Sequence, residues 1–233
     1  MRSQSVATRV RLRYTAPAAL VALLVATLLT VQLVERAGAD GSYCARHAVQ
    51  ASERARIVTG SGDPVVVIGD SWSVGLGLER LESSWPARLP GRVRVEGFSG
   101  SGFSRSASPC GDESFGTRTA GISATGLVVV AGGLNDFDRS TTAITLGFGR
   151  LLAALEGREV VVVGPALAPS RAAEVPRVHR LLARLAADSG VPYVATSDLR
   201  LPYLPDRLHL TAEGHAMFGD AVAQRLAERG LLG

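Results

Sequence analysis

The run Val65-Val66-Val67-Ile68-Gly69-Asp70-Ser71 joins four β-branched residues to a glycine and a terminal hydroxyl. An unbroken β-branched run reads as a strand buried on both faces, as in a parallel sheet. Open α/β sheets place ligands and chemistry beyond the C-terminal ends of their strands. Position alone therefore makes Ser71 a candidate nucleophile.

Working outward, further apolar runs appear at Val93–Val95, Leu127–Ala131, Val160–Val163 and Val191–Ala195. Helical patterns lie between the later ones. Ala143–Leu155 aligns Ile144, Phe148, Leu151, Leu152 and Leu155 on one stripe, and Val175–Asp188 aligns Val178, Leu181, Leu182 and Leu185. A last helix is expected from Ala212 to Arg229, capped by Thr211. Strands alternating with helices predict an α/β fold: a three-layer α/β/α sandwich around a flavodoxin-like, five-stranded parallel sheet.

Composition bounds the partners. The 233 residues carry a net charge of +4, and every basic residue is arginine. Arg2, Arg9, Arg11 and Arg13 precede the first acidic residue, Glu35. Without those four, 21 of the 25 basic residues remain against 21 acidic ones, so the body is neutral. A neutral body lacks the basic stripe that nucleic acid requires.

The four arginines lead into an apolar run over 16–34, close to the ~20 residues of a membrane span. Ala37-Gly38-Ala39 resembles a cleavage site, so residues 1–39 read as an N-terminal hydrophobic helix acting as membrane anchor, or as a cleaved signal. Either places the body outside the cytoplasm. Residues 40–62 read as a connector and 63–233 as the functional domain. Cys44 and Cys110 form one disulfide in an oxidising compartment, or remain two thiols. They are too few, and too poorly supported by nearby histidines, to suggest a zinc site.

Four segments offer what acyl transfer needs: a hydroxyl, a base that takes its proton, an orienting group for the base, and donors for the oxyanion. Gly69-Asp70-Ser71 supplies the hydroxyl, although alone it is equally an ordinary turn. Gly97-Phe98-Ser99-Gly100-Ser101-Gly102 is a glycine-rich loop open to ligand approach. Gly133-Leu134-Asn135-Asp136 offers a side-chain amide, or an Asx turn. Asp206-Arg207-Leu208-His209 places a carboxylate three residues before a histidine. His47, His179 and His215 fall in the connector or inside helix patterns and are weaker candidates for the base.

In this order, the four blocks resemble those of the SGNH hydrolases, the GDSL-type esterases and lipases. The resemblance spans residues 65 to about 228, and Trp85-Pro86 adds to it. It implies that Ser71 is the nucleophile, His209 the general base and acid, and Asp206 its orienting partner. It implies an oxyanion hole of the Ser71 and Gly100 backbone N–H groups and the Asn135 side chain, with Gly102 as the alternative glycine. It implies no metal or organic cofactor. Trp72 stands where the family more often has a small aliphatic residue. With Phe98 and Phe103 it is a candidate wall of the substrate pocket.

The expected activity is hydrolysis of a small-molecule, glycan or lipid ester. Acyl transfer to or from envelope glycans is the alternative, and a non-catalytic envelope binding module is the rival from another class.

Overall fold

The computed structural model describes residues 5–122 and 125–232, without the side chains at 5–20, 22, 31, 33–37 and 39. The chain divides into two compact units, Met1–Ala45 and Arg46–Gly233. Helix α1 is Ser5–Arg56. Among the described residues no helix is long and apolar enough to cross a membrane. Much of the expected anchor (16–20, 22, 31, 33 and 34) lies outside the residues whose side chains are described.

The second unit is built on one sheet. Its strands are β1 (Val58–Thr59), β2 (Pro64–Gly69), β3 (Arg92–Gly97), β4 (Leu127–Ala131), β5 (Glu159–Val163) and β6 (Tyr193–Val194). Their order is β1-β3-β2-β4-β5-β6. The last five in that order pair in parallel, whereas β1 runs antiparallel to β3 through Val58↔Arg94 and Thr59↔Val93. The expected five-stranded parallel sheet is thus corrected to six strands, mixed. β1 falls in the segment read as connector; two residues are too few to show a period, and only the β3 edge makes them a strand.

β2 lies between β3 and β4, where the strand order reverses. Such a switch point opens a crevice at the strand ends, and Ser71 follows β2 directly. Every β2 residue from Val65 to Gly69 is buried. Val65 and Val67 enter the apolar cluster of Trp72, Trp85, Phe218, Val222 and Leu226, while Val66 and Ile68 enter that of Phe103, Phe148, Leu151 and Leu182. Burying such a side chain contributes roughly 1.5–3 kcal/mol, which is why this strand reads so clearly in the sequence.

Four helices follow: α2 (Ser71–Val74), α3 (Thr141–Ala154), α4 (Val175–Asp188) and α5 (Ala212–Ala227). α3 and α4 bury most of the stripes that the periodicity marks, with Leu152 and Leu185 half-buried. Thr211 caps α5 by accepting from the Gly214 N–H. β6 is shorter than the run at 191–195 suggests, because only Tyr193 and Val194 pair with β5.

Candidate active site

The chain turns sharply after β2. A Cβ on Gly69 would stand 2.0 Å from Ser73 Oγ, so the close return of α2 over the strand end requires glycine. Asp70 caps α2: its carboxylate accepts from the Trp72 N–H at 3.0 Å. Burial pushes the Asp70 carboxyl up to about 6, offset in part by that hydrogen bond and by the charges of His209 and Arg171.

Ser71 Oγ lies 3.2 Å from His209 Nε2, and His209 Nδ1 lies 2.5 Å from Asp206 Oδ2. The nitrogen facing a carboxylate must carry a proton to bond it, which leaves Nε2 as the acceptor toward the serine. Asp206 Oδ1 also accepts from the backbone N–H groups of Leu208 and His209, both at 2.9 Å. Desolvation works against the Asp206 charge, but the His209 side chain and these two amides outweigh it and hold the carboxyl at about 2. Arg207 makes the turn tight enough, with φ of +58°. A non-glycine residue there costs roughly 1–2 kcal/mol.

Asn135 lies in a single 3-10 turn, Leu134–Asp136, at the end of β4. Its Nδ2 donates to the Ser101 carbonyl at 2.8 Å. The neighbouring Asp136 carboxylate accepts from the N–H groups of Phe103 and Ser104 at 2.9 and 2.8 Å. Residues 135 and 136 thus pin the glycine loop from both sides of its chain. Burial pushes the Asp136 carboxyl up to about 6 as well, against those two hydrogen bonds.

Gly100 has φ of +96°, which favours glycine. Gly102 answers a different need: a Cβ there would stand 2.5 Å from Asp136 Oδ2. Its lack of a side chain admits the pinning carboxylate.

The three aromatic pocket candidates are all buried. Trp72, Phe98 and Phe103 are 5%, 2% and 0% exposed. Phe103 packs against Phe115 and Phe148, and Phe98 lies under the Arg118 guanidinium. Trp72 meets Phe218 edge-on and donates its indole N–H to the Leu208 carbonyl at 3.1 Å. It braces the histidine turn, and with Trp85, Ala131, Leu134 and Ala166 it helps enclose a cavity of about 10 Å³.

Two groups behind the site carry no strong sequence signal. His215 accepts the Trp85 N–H at Nδ1, and desolvation by burial lowers its pKa to about 4, so it is neutral. Its position four residues into an amphipathic helix gives no hint of that partner. Arg171 reaches Asn135 from 36 residues away. Among the described residues no cluster of three or more His, Cys, Asp or Glu side chains forms a metal-ligand set. Cys44 and Cys110 are both disulfide-bonded.

Residues 67–217 match the sequence profile of the GDSL-like lipase/acylhydrolase family. No curated protein matches the chain. Among solved structures, it is similar to Est24, a carbohydrate acetylesterase from Sinorhizobium meliloti, with 22% identity and a TM-score of 0.58 over 72% of this chain and 100% of that one. It is also similar to the native M. smegmatis aryl esterase, with 22% identity and a TM-score of 0.59 over 73% and 100% of the two chains. At these identities the likeness is one of fold.

Proposed function

The chain belongs to the GDSL-like lipase/acylhydrolase family and is an ester hydrolase; on that premise we propose that it works through a Ser71-His209-Asp206 triad and an acyl-enzyme. The observation that carries this reading is the unbroken hydrogen-bond chain from Ser71 Oγ through both ring nitrogens of His209 to Asp206. His209 Nε2 takes the serine proton as Oγ attacks the ester carbonyl. The oxyanion forms against the backbone N–H groups of Ser71 and Gly100 and the Asn135 amide. The alcohol leaves with the proton from Nε2. Water then attacks the acyl-enzyme by the same route, returning Ser71 and releasing the acid.

Short acyl groups are the reading we favour: the cavity behind the nucleophile turn, lined by Trp72, Trp85 and Phe218 among others, is about 10 Å³, the size of a single water, and leaves no room for a long chain to extend inward. On the other side the site is open: the Asp206 side chain is 47% exposed. An open rim accommodates a bulky alcohol such as a glycan, and the acetylesterase activity named for Est24 is compatible with that. Acyl transfer to a glycan in place of water is the variant reading, separated by product analysis with and without added acceptor.

The site is proposed to work outside the cytoplasm. Val21, Leu23, Leu24, Val25, Leu28 and Leu29, all at least half exposed, support an N-terminal segment made for lipid. The oxidised cysteines support an oxidising compartment. Membrane fractionation and non-reduced peptide mapping test both points: soluble cytoplasmic protein with two free thiols would refute the placement.

The decisive test of the chemistry is p-nitrophenyl acetate and butyrate turnover by wild type and Ser71→Ala. Equal rates would sink the assignment. A fluorophosphonate probe should label Ser71; folded protein that stays unlabelled would favour a binding module.

A further inference from the structure

The 3-10 turn Pro169–Arg171 lies between the two halves of the site. Arg171 Nη1 donates to the Leu134 carbonyl at 2.5 Å and to Asn135 Oδ1 at 2.8 Å. Its guanidinium lies 4.3 Å over the Phe137 ring, which fixes the plane of the group. One residue earlier, the Ser170 N–H donates to the Arg207 carbonyl at 3.0 Å, inside the turn that carries Asp206 and His209.

These partners determine which way the Asn135 amide points. A guanidinium only donates, and the Ser101 carbonyl only accepts. Oδ1 must therefore face Arg171, and Nδ2 must face the glycine loop. Nδ2 has a second N–H beyond the one given to Ser101. A positive charge on the amide oxygen draws electron density from the nitrogen, making that N–H a stronger donor.

We propose that Arg171 is a positioning residue for the oxyanion hole: it fixes the orientation of the Asn135 amide and strengthens its free N–H as a donor. The proposal rests on Asn135 being an oxyanion donor. Arg171 touches no reacting atom; its charge also reaches Asp70, and the proposal is that its effect on turnover passes chiefly through Asn135. Nothing in the sequence signals the link, because Arg171 stands in a short turn with no periodic pattern. Replacing it frees the amide to rotate or to exchange its carbonyl and amino groups, which presents a lone pair to the oxyanion.

The test is a double-mutant cycle on the full-length chain, with p-nitrophenyl acetate as substrate. Arg171→Met should lower kcat about 10- to 30-fold with KM within about twofold, as expected for losing a charge-assisted hydrogen bond that matters in the transition state. Asn135→Ala should lower kcat about 100- to 1,000-fold. The double variant should be no slower than Asn135→Ala alone, within about threefold. Arg171→Lys keeps the charge without the planar fork and should recover part of the loss. It also carries the cycle if the Met variant does not fold.

A purely structural clamp would slow the enzyme by the same factor whether or not Asn135 is present. Multiplicative losses, or an Arg171→Met variant at wild-type kcat, would overturn the proposal while leaving the Asn135 reading intact. Asn135→Ala at near wild-type rate would overturn that reading and the proposal with it.

Discussion

Asp206→Asn is the sharpest perturbation of the proposed triad, because its effects on structure and on chemistry separate. Asp206 Oδ1 accepts two backbone N–H groups, and an asparagine carbonyl oxygen accepts the same two. The turn should therefore survive, with the melting temperature within a few degrees of wild type. At the Oδ2 position an NH₂ would replace the oxygen 2.5 Å from His209 Nδ1. Two donors cannot share that contact, so His209 shifts its proton to Nε2 and turns an N–H toward Ser71. The base is then lost. The wrong tautomer costs about 10⁴-fold in kcat, or about 5 kcal/mol of barrier.

Asp206→Ala makes the control. The site is open enough for water to accept from Nδ1, so the productive tautomer survives in part, and the loss should stay near 100- to 1,000-fold. The ranking is counterintuitive: the isosteric change is worse than truncation. Initial rates on p-nitrophenyl acetate, with circular dichroism melts of both variants, measure it. Asp206→Asn within tenfold of wild type, or faster than Asp206→Ala while still folded, would refute the role given to this carboxylate. The charge itself is robust: held at about 2, Asp206 contributes its pairing above the ordinary carboxylate range and loses it only as pH falls through about 2.

Three more expectations concern neighbouring residues. Trp72→Phe removes the indole donor to Leu208 and should slow acetyl and butyryl esters equally, about fivefold for one hydrogen bond; a change in chain-length preference would refute that equality and point to Trp72 as a pocket wall. Asp70→Asn keeps the acceptor for Trp72 N–H but removes a buried charge whose folded pKa is raised to about 6. Wild type loses stability as pH rises from about 3.8 to 6, so the variant's melting temperature relative to wild type should climb over that range, by the equivalent of at most about 3 kcal/mol; a flat difference would refute it. For His215, lowered to about 4, the sign reverses: stability from its neutral form is complete above pH 6.5 and is lost as pH falls toward 4, so a His215→Gln variant should show a shallower decline there in pH-dependent melts.

The residues that read clearly in the sequence are those whose signal is local. β2 is a continuous buried run, so both strand and serine were visible together. Asp206 and His209 lie within one turn, so their pairing needs no tertiary information. β1 was invisible because two residues carry no period and become a strand only against β3. The packing of the aromatic residues was not legible for a related reason: ring direction is set by partners such as Phe218, Phe115 and Arg118, distant in sequence. Arg171 and His215 belong to the same class: each has a role defined by contacts across the fold.

The left-handed residue at 207 has a consequence for how this site fails. Because Asp206, Arg207, Leu208 and His209 close on themselves, the acid and the base form a cartridge whose internal geometry owes little to the sheet. Besides its backbone bonds to Leu204 and the His209–Ser71 contact, two fasteners hold it to the rest of the site, the Trp72 indole and the Ser170 amide. Damage inside the cartridge changes which nitrogen holds the proton. Damage to a fastener changes how far that nitrogen stands from the serine. The two kinds of lesion therefore leave different signatures in the same assay, and a redesigned substrate rim can be fitted around the cartridge provided both fasteners are kept.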